Sequence, residues 1–130
     1  MALEVFIKSA KLPENELERL DLLSELEILD TIEEQDFDDL TNLAAHICDV
    51  PISLINLIDE KRQWFKSHHG LDVRETPRES AFCAHAILDD KVFYIPNTKE
   101  DERFHDNPLV VGAPFIKFYA GFPLNLSLIH

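Results

Sequence analysis

The spacing of apolar residues changes at Pro51, and this change limits the chain to folds that contain both helices and strands. Before Pro51, apolar residues recur at steps of three and four, which predicts a helix over residues 35–48. After it, the run 52–58 is rich in branched apolar residues, and a polar turn leads to a partner strand at 63–67. Helices followed by a strand hairpin predict an α+β fold built on an antiparallel sheet.

The leucine-rich segment 13–30 is predicted to form the first helix. Pro13 suits a first helical position, and acidic residues occupy the first turns, where the helix dipole favours them. At about 100° per residue, Leu17 lies on roughly the opposite side from Leu26, so one neighbour cannot cover all the leucines. We therefore expect a homodimer through helix 13–30. The alternative is a helix that is wedged into its own core.

The remaining segments predict short elements and loops. We expect a loop at 70–80, a short helix at 79–88, a strand at 92–96, a helical turn within 97–106, a loop at 107–114 and a last strand at 115–124. These elements give one domain over residues 13–124, preceded by an extension at 1–12 and followed by a short tail at 125–130. Alternation at residues 3–7 suggests a short strand in the extension.

Charge and length restrict the classes of partner. The 130 residues carry a net charge of −13, which disfavours nucleic acids and anionic membranes. No apolar stretch approaches the roughly 18 residues that span a bilayer, and we expect a cytoplasmic protein. Cys48 and Cys83 fit that compartment as free thiols. Residues 61–78 are locally basic and could attract an anionic ligand, although solvated charges beside a hairpin are commoner.

Five motifs together resemble one family. They are 62–67 (RQWFKS), 76–78 (TPR), 82–87 (FCAHAI), 101–104 (DERF) and 107–110 (NPLV). Their order and spacing are similar to the GAF domains of bacterial signalling proteins, of the type associated with histidine kinases and diguanylate cyclases. The resemblance implies a PAS-like antiparallel sheet with the amino-terminal helices on one face. On the other face it implies a cavity roofed by residues 70–88 and 97–114.

The resemblance implies a sensory or regulatory module that binds a small ligand, a signalling-protein partner or a second copy, and that is not an enzyme. The candidate cavity residues are Trp64, Phe82, Cys83, His85, Phe104 and Tyr119. The recurring polar residues of the motifs are Arg62, Thr76, Arg78, Asp101, Arg103 and Asn107. A structural role is the simpler expectation for these polar residues, with Asp101 and Arg103 paired and Asn107 bonded to its own backbone.

Other chemistries are weaker matches. Cys83 could act as the nucleophile of a thiol-dependent reductase of the free methionine sulfoxide type, although a small buried thiol is the commoner role. The chain lacks the cyclic-nucleotide signature of the family, and Cys83 and His85 are separated by Ala84 instead of adjoining as in bilin-binding relatives. No catalytic residue, metal site or cofactor is expected. A third alternative is a pure interaction module whose cavity is filled by side chains.

The family's last strand has no counterpart in this sequence. Relatives continue after the equivalent of Leu124 with a strand beside the one placed at 52–58, whereas only six residues follow here. Three hypotheses fill that position: the tail 125–130, the segment 3–7, or a strand from a partner subunit. A truncated, damaged domain is the fourth alternative.

Overall fold

A computed structural model describes residues 9–124, which form two compact units. The first unit consists of residues 14–78, and the second of residues 9–13 and 79–124. Both contain helices and antiparallel strands, so the chain has the predicted α+β class. The expectations for residues 3–7 and 125–130 lie outside the described residues.

The first unit combines two helices with a three-stranded sheet. Its elements are α1 (Glu16–Leu26), α2 (Gln35–Cys48), β1 (Ser53–Ile58), β2 (Arg62–His69) and β3 (Glu75–Pro77), and the strand order is β1-β2-β3. The prediction for α2 is confirmed at both ends. Helix α1 is shorter than the predicted 13–30, because Glu27 has a left-handed backbone with φ of 50° that ends the helix.

A bulge in β2 sets the direction of a buried lysine. Ile55 pairs with Ser67 and Asn56 pairs with Phe65, so Lys66 is the extra residue between them. Its ammonium group donates to Thr31 Oγ1 at 2.8 Å and to the Ile32 carbonyl at 2.7 Å. The bulge therefore attaches β2 to the connection between α1 and α2.

Gly70 allows the chain to leave β2 close to another backbone segment. Its φ is 77°, and a Cβ atom at this position would lie 1.8 Å from the Pro51 carbonyl oxygen. Any other residue would be strained by the dihedral angle and would clash with this carbonyl.

The second unit contains short elements around an apolar core. They are α3 (Cys83–Ala86), β4 (Phe93–Ile95), α4 (Pro108–Val111) and β5 (Tyr119–Gly121), with β4 and β5 paired antiparallel. A 3₁₀ turn at Arg78–Ser80 joins the two units, and another forms at Thr98–Glu100. Phe82, Ile95, Phe104 and Val110 make up the buried core of this unit.

Three local predictions are wrong. Residues 107–114 do not form a loop throughout, because Pro108 takes a first-turn position and the Asn107 side chain accepts from the Leu109 N–H at 2.9 Å. Residues 70–80 contain β3, which is too short to show alternation. The last strand covers Tyr119–Gly121 instead of 115–124, because the Ile116 N–H donates to the Leu109 carbonyl and φ of Phe115 is 59°.

The strands are antiparallel as predicted, but within residues 9–124 they form two separate sheets and not one. Strand β1 is an edge of the three-stranded sheet, and β4 and β5 make a sheet of their own. Tyr94 on β4 is exposed, and so are Phe118 and Phe122, the residues on either side of β5. None of the helices in this part of the chain is long and apolar enough to cross a membrane.

Candidate functional site

Five of the six candidate cavity residues come together in the second unit. We call Phe82, Cys83, His85, Phe104 and Tyr119 the aromatic cluster. Phe82 stacks on Phe104 with ring centroids 4.4 Å apart and on Tyr119 at 5.2 Å. The imidazole of His85 meets the edge of Phe104 at 4.8 Å. The rings of the aromatic cluster therefore pack directly against one another.

The short helix α3 and strand β5 position the polar atoms of the aromatic cluster. Cys83 Sγ lies 2.8 Å from the hydroxyl of Tyr119, close enough for a hydrogen bond. Burial, followed by the neighbouring thiol, raises the pKa of Tyr119. This hydroxyl stays protonated and can donate to the sulfur. Cys83 is buried, and Cys48 is exposed on α2.

An arginine lies over the aromatic side chains of this unit. The guanidinium of Arg103 is 5.0 Å from the centre of the Phe93 ring and 5.4 Å from that of Phe104. It also pairs with Asp101 at 2.8 Å, and its hydrogen bond lowers the pKa of Asp101. The predicted pairing is confirmed.

Asn107 also holds the second unit together. Its amide donates to the Ser80 carbonyl at 3.0 Å, and its oxygen accepts from Leu109. The predicted bond to its own backbone is therefore present. The buried amide also connects α4 to the segment before α3.

Trp64 belongs to the first unit, whereas the aromatic cluster belongs to the second. It is buried on β2 and borders a shallow depression of about 240 Å³ together with Thr31, Ile32 and Arg74. A second depression, of about 350 Å³, lies between α1 and the turn after β1. Leucine and acidic residues line this depression, namely Leu20, Leu23, Leu29, Glu27, Asp59 and Glu60.

The arginines singled out in the first unit make ion pairs. Arg62 contacts Asp30 at 2.7 Å, Glu75 at 3.0 Å and Asp59 at 3.2 Å, and the hydrogen bonds that it donates to these carboxylates, the one to Asp30 above all, raise the pKa of Arg62. Arg78 donates to Glu16 at 2.5 Å and to the Asp59 carbonyl at 3.1 Å. These contacts match the structural role expected for both residues.

Sequence reasoning missed two polar atoms on neighbouring strands. Gln63 on β2 is the register partner of Thr76 on β3. Gln63 Oε1 and Thr76 Oγ1 are both buried and have no hydrogen-bond partner among the described residues. The presence of Thr76 in a motif drew attention to it, but nothing in the sequence showed that Gln63 faces inward. No group of three or more metal-ligating side chains occurs within residues 9–124.

Comparison with known proteins shows that this α+β chain is similar to part of a named enzyme. No family model matches the chain. It is 43% identical over 112 residues to the cyclic di-GMP phosphodiesterase PA2567 of Pseudomonas aeruginosa. The match covers 86% of this chain and 19% of that protein, so the chain spans about a fifth of the relative's length.

The comparison corrects one expectation. The prediction that the protein is not an enzyme is wrong on this finding, because the relative is named as a phosphodiesterase. The relative's name agrees with the expected signalling role. The resemblance to GAF domains and the reductase alternative stay predictions.

Proposed function

We propose that this chain is a GAF-like regulatory segment of a cyclic di-GMP signalling enzyme. The observation that carries the proposal is the 43% identity, over 112 residues, to a protein named as a cyclic di-GMP phosphodiesterase. The matched region is 19% of that protein, a length that suits one module of a larger enzyme. The α+β fold and the order of the five motifs support the GAF-like part of the proposal.

The aromatic cluster supports regulation by packing more than by a resident ligand. Its rings stack at 4.4 and 5.2 Å, and the Tyr119 hydroxyl is within 2.8 Å of the Cys83 sulfur. A planar small molecule could enter only if Phe82 separated from Phe104. Ligand sensing is thus the second candidate, and the aromatic character of the lining favours an aromatic ligand for it.

A domain exchange tests the proposal. The matched segment of the Pseudomonas phosphodiesterase is replaced by the corresponding part of this chain, and hydrolysis of cyclic di-GMP is followed by chromatography. We expect the chimera to hydrolyse the dinucleotide, and deletion of the segment to change the rate. Phe104→Ala in the grafted segment should move the rate toward that of the deletion, because it removes a partner of both Phe82 and His85.

Two results would contradict the proposal. One is a chimera whose rate does not differ from that of the deletion, since the grafted segment would then regulate nothing. The other is a Phe104→Ala chimera whose rate equals that of the unmutated chimera, since the aromatic cluster would then take no part in regulation. A matched control is Tyr94→Ala, which removes an exposed aromatic side chain of the same unit and should leave the rate unchanged.

A further inference from the structure

Helix α2 presents a stripe of exposed aliphatic side chains. Leu40, Leu43 and Ile47 are 57%, 54% and 70% exposed. At about 100° per residue they fall within roughly 60° of one another around the helix axis, with Ala44 beside them. Aliphatic side chains aligned on one face of a helix usually pack against another element.

The contacts made by the buried face of α2 explain why the stripe faces away from the sheet. Thr41 and Ala45 are its buried residues, and the Thr41 hydroxyl lies 2.8 Å from the hydroxyl of Ser67 on β2. Ser67 donates to Asp38 at 2.6 Å. These hydrogen bonds set the rotation of the helix, so the stripe cannot turn inward without breaking them.

Helix α1 offers no comparable surface. Leu17 and Leu26 are 79% and 46% exposed, but they are nine residues apart and so lie about 180° from each other. Two leucines on opposite sides cannot share one interface. Helix α2 is therefore a better candidate interface for self-association than the helix that was predicted at 13–30.

We propose that the stripe on α2 binds the same stripe of a second copy, with the two helices antiparallel around a twofold axis. In this arrangement Leu40 packs against the partner's Ile47, and Leu43 packs against the partner's Leu43 and Ala44. Such a pairing is self-complementary, as a twofold interface requires. The proposal is independent of the catalytic role of the protein.

Charge on the flank of the stripe favours this occupant over others. Asp39 and His46 are seven residues apart and therefore lie on the same side of α2. When two copies are antiparallel, the imidazole N–H of His46 can donate to the partner's Asp39, and the symmetry repeats this contact. A lipid surface is disfavoured, because the acidic side chains next to the stripe, Asp36 and Asp39, repel anionic headgroups.

Sedimentation equilibrium of the whole chain tests the proposal, at concentrations up to about 100 μM. We expect a monomer–dimer equilibrium in which Leu43→Glu weakens association at least tenfold. Leu17→Glu is the matched control, since it places the same charge on the more exposed leucine of α1, and it should leave the dissociation constant within twofold of wild type. Circular dichroism melts check that both variants are folded.

A charge exchange keeps the test decisive if Leu43→Glu fails to fold. At about 1 M sodium chloride, where the repulsion between the acidic copies is screened, Asp39→Lys should weaken the dimer because it faces the partner's His46, and the double variant Asp39→Lys with His46→Glu should restore it. Three results would overturn the proposal: a wild-type monomer throughout the range, dissociation by Leu17→Glu but not by Leu43→Glu, or a double variant no tighter than Asp39→Lys alone.

Discussion

At the scale of single residues, the Glu16 carboxylate lies against two guanidinium groups and gives the first unit a pH-dependent source of stability. Arg78 donates to it at 2.5 Å and Arg19 at 2.9 Å. Mainly because of the hydrogen bond from Arg78, the pKa of Glu16 is lowered from 4.5 to about 2. Since the folded state favours the ionised carboxylate, this stability is present above pH 4.5 and is lost as the pH falls toward 2.

We expect Glu16→Gln to lower the free energy of unfolding at neutral pH by about 1–3 kcal/mol. The difference from wild type should shrink progressively between about pH 5 and pH 2, where the wild-type carboxylate becomes protonated. Urea unfolding followed by circular dichroism across this range provides the measurement. Glu18→Gln, on an exposed position of the same helix, is the control and should have little effect. A difference that stays constant with pH would show that charge is not the cause.

At Thr76 we expect a substitution to raise the free energy of unfolding, in contrast to Glu16→Gln, which lowers it. Its Oγ1 is buried and has no hydrogen-bond partner within residues 9–124, and burying such a group costs about 1–3 kcal/mol. Thr76→Val keeps the branched shape suited to β3 and removes the hydroxyl, so we expect an increase in unfolding free energy of about 1 kcal/mol. Differential scanning calorimetry should show a higher melting temperature. A lower one would mean that a bound water or ligand satisfies this hydroxyl together with Gln63 Oε1.

At the scale of elements, the buried ammonium of Lys66 connects β2 to the segment before α2. It donates to Thr31 and Ile32 and pairs with Glu34 at 2.6 Å, and it lies 5.4 Å from the centre of the Phe37 ring. These contacts order the connection at residues 31–34, which has few apolar contacts to hold it, since Ile32 is exposed. The helix and the strand are thus joined through a polar contact.

We expect Lys66→Met to release this connection while leaving the second unit unchanged. Hydrogen exchange followed by mass spectrometry should show faster exchange at residues 31–37 by about tenfold or more, with β4 and β5 amides unaltered. Lys61→Met, at an exposed position next to β2, is the matched control. Equal protection of residues 31–37 in both variants would show that Lys66 does not hold the connection.

The sequence predicts best those elements that are long enough to contain several repeats of their apolar pattern. Helix α2 has fourteen residues with a regular apolar spacing, and the structure confirms both of its ends. Strand β3 and helix α4 have three and four residues, so their sequences contain fewer than two repeats of the strand or helix period. They form because of contacts made by neighbours, such as the Asn107 cap of α4, and such contacts have no periodic signal.

The candidate site was predicted to a similar extent, for a related reason. The order of the motifs, which resembles a known family, identified five aromatic, thiol and imidazole residues that lie close together in the structure. The place of Trp64 in the three-stranded sheet of the first unit, and the inward direction of Gln63, depend on which strands pair. Pairing between distant strands is set by tertiary contacts and not by local spacing.

At the scale of the whole molecule, the net charge of −13 opposes association between copies. Residues 14–39 alone contain twelve acids and one base, Arg19, and α2 begins within this segment. Two copies joined through α2 therefore bring their most acidic regions near each other. The two contacts between Asp39 and the partner's His46 do not offset the repulsion between the many remaining acids of this region.

Salt should therefore strengthen the proposed dimer. The Debye length falls from about 10 Å at 0.1 M ionic strength to about 3 Å at 1 M, so the repulsion between the two copies is screened while the aliphatic contacts between Leu40, Leu43 and Ile47 are not. We expect the dissociation constant from sedimentation equilibrium to fall several-fold when sodium chloride is raised over this range. A dimer held mainly by ion pairs would loosen instead, and the same would hold if the basic segment 61–78 of one copy bound the acidic segment 14–39 of the other. The variant Glu33→Gln with Asp36→Asn, which removes two charges near the start of α2, should already associate more tightly at low salt and should respond less to added salt.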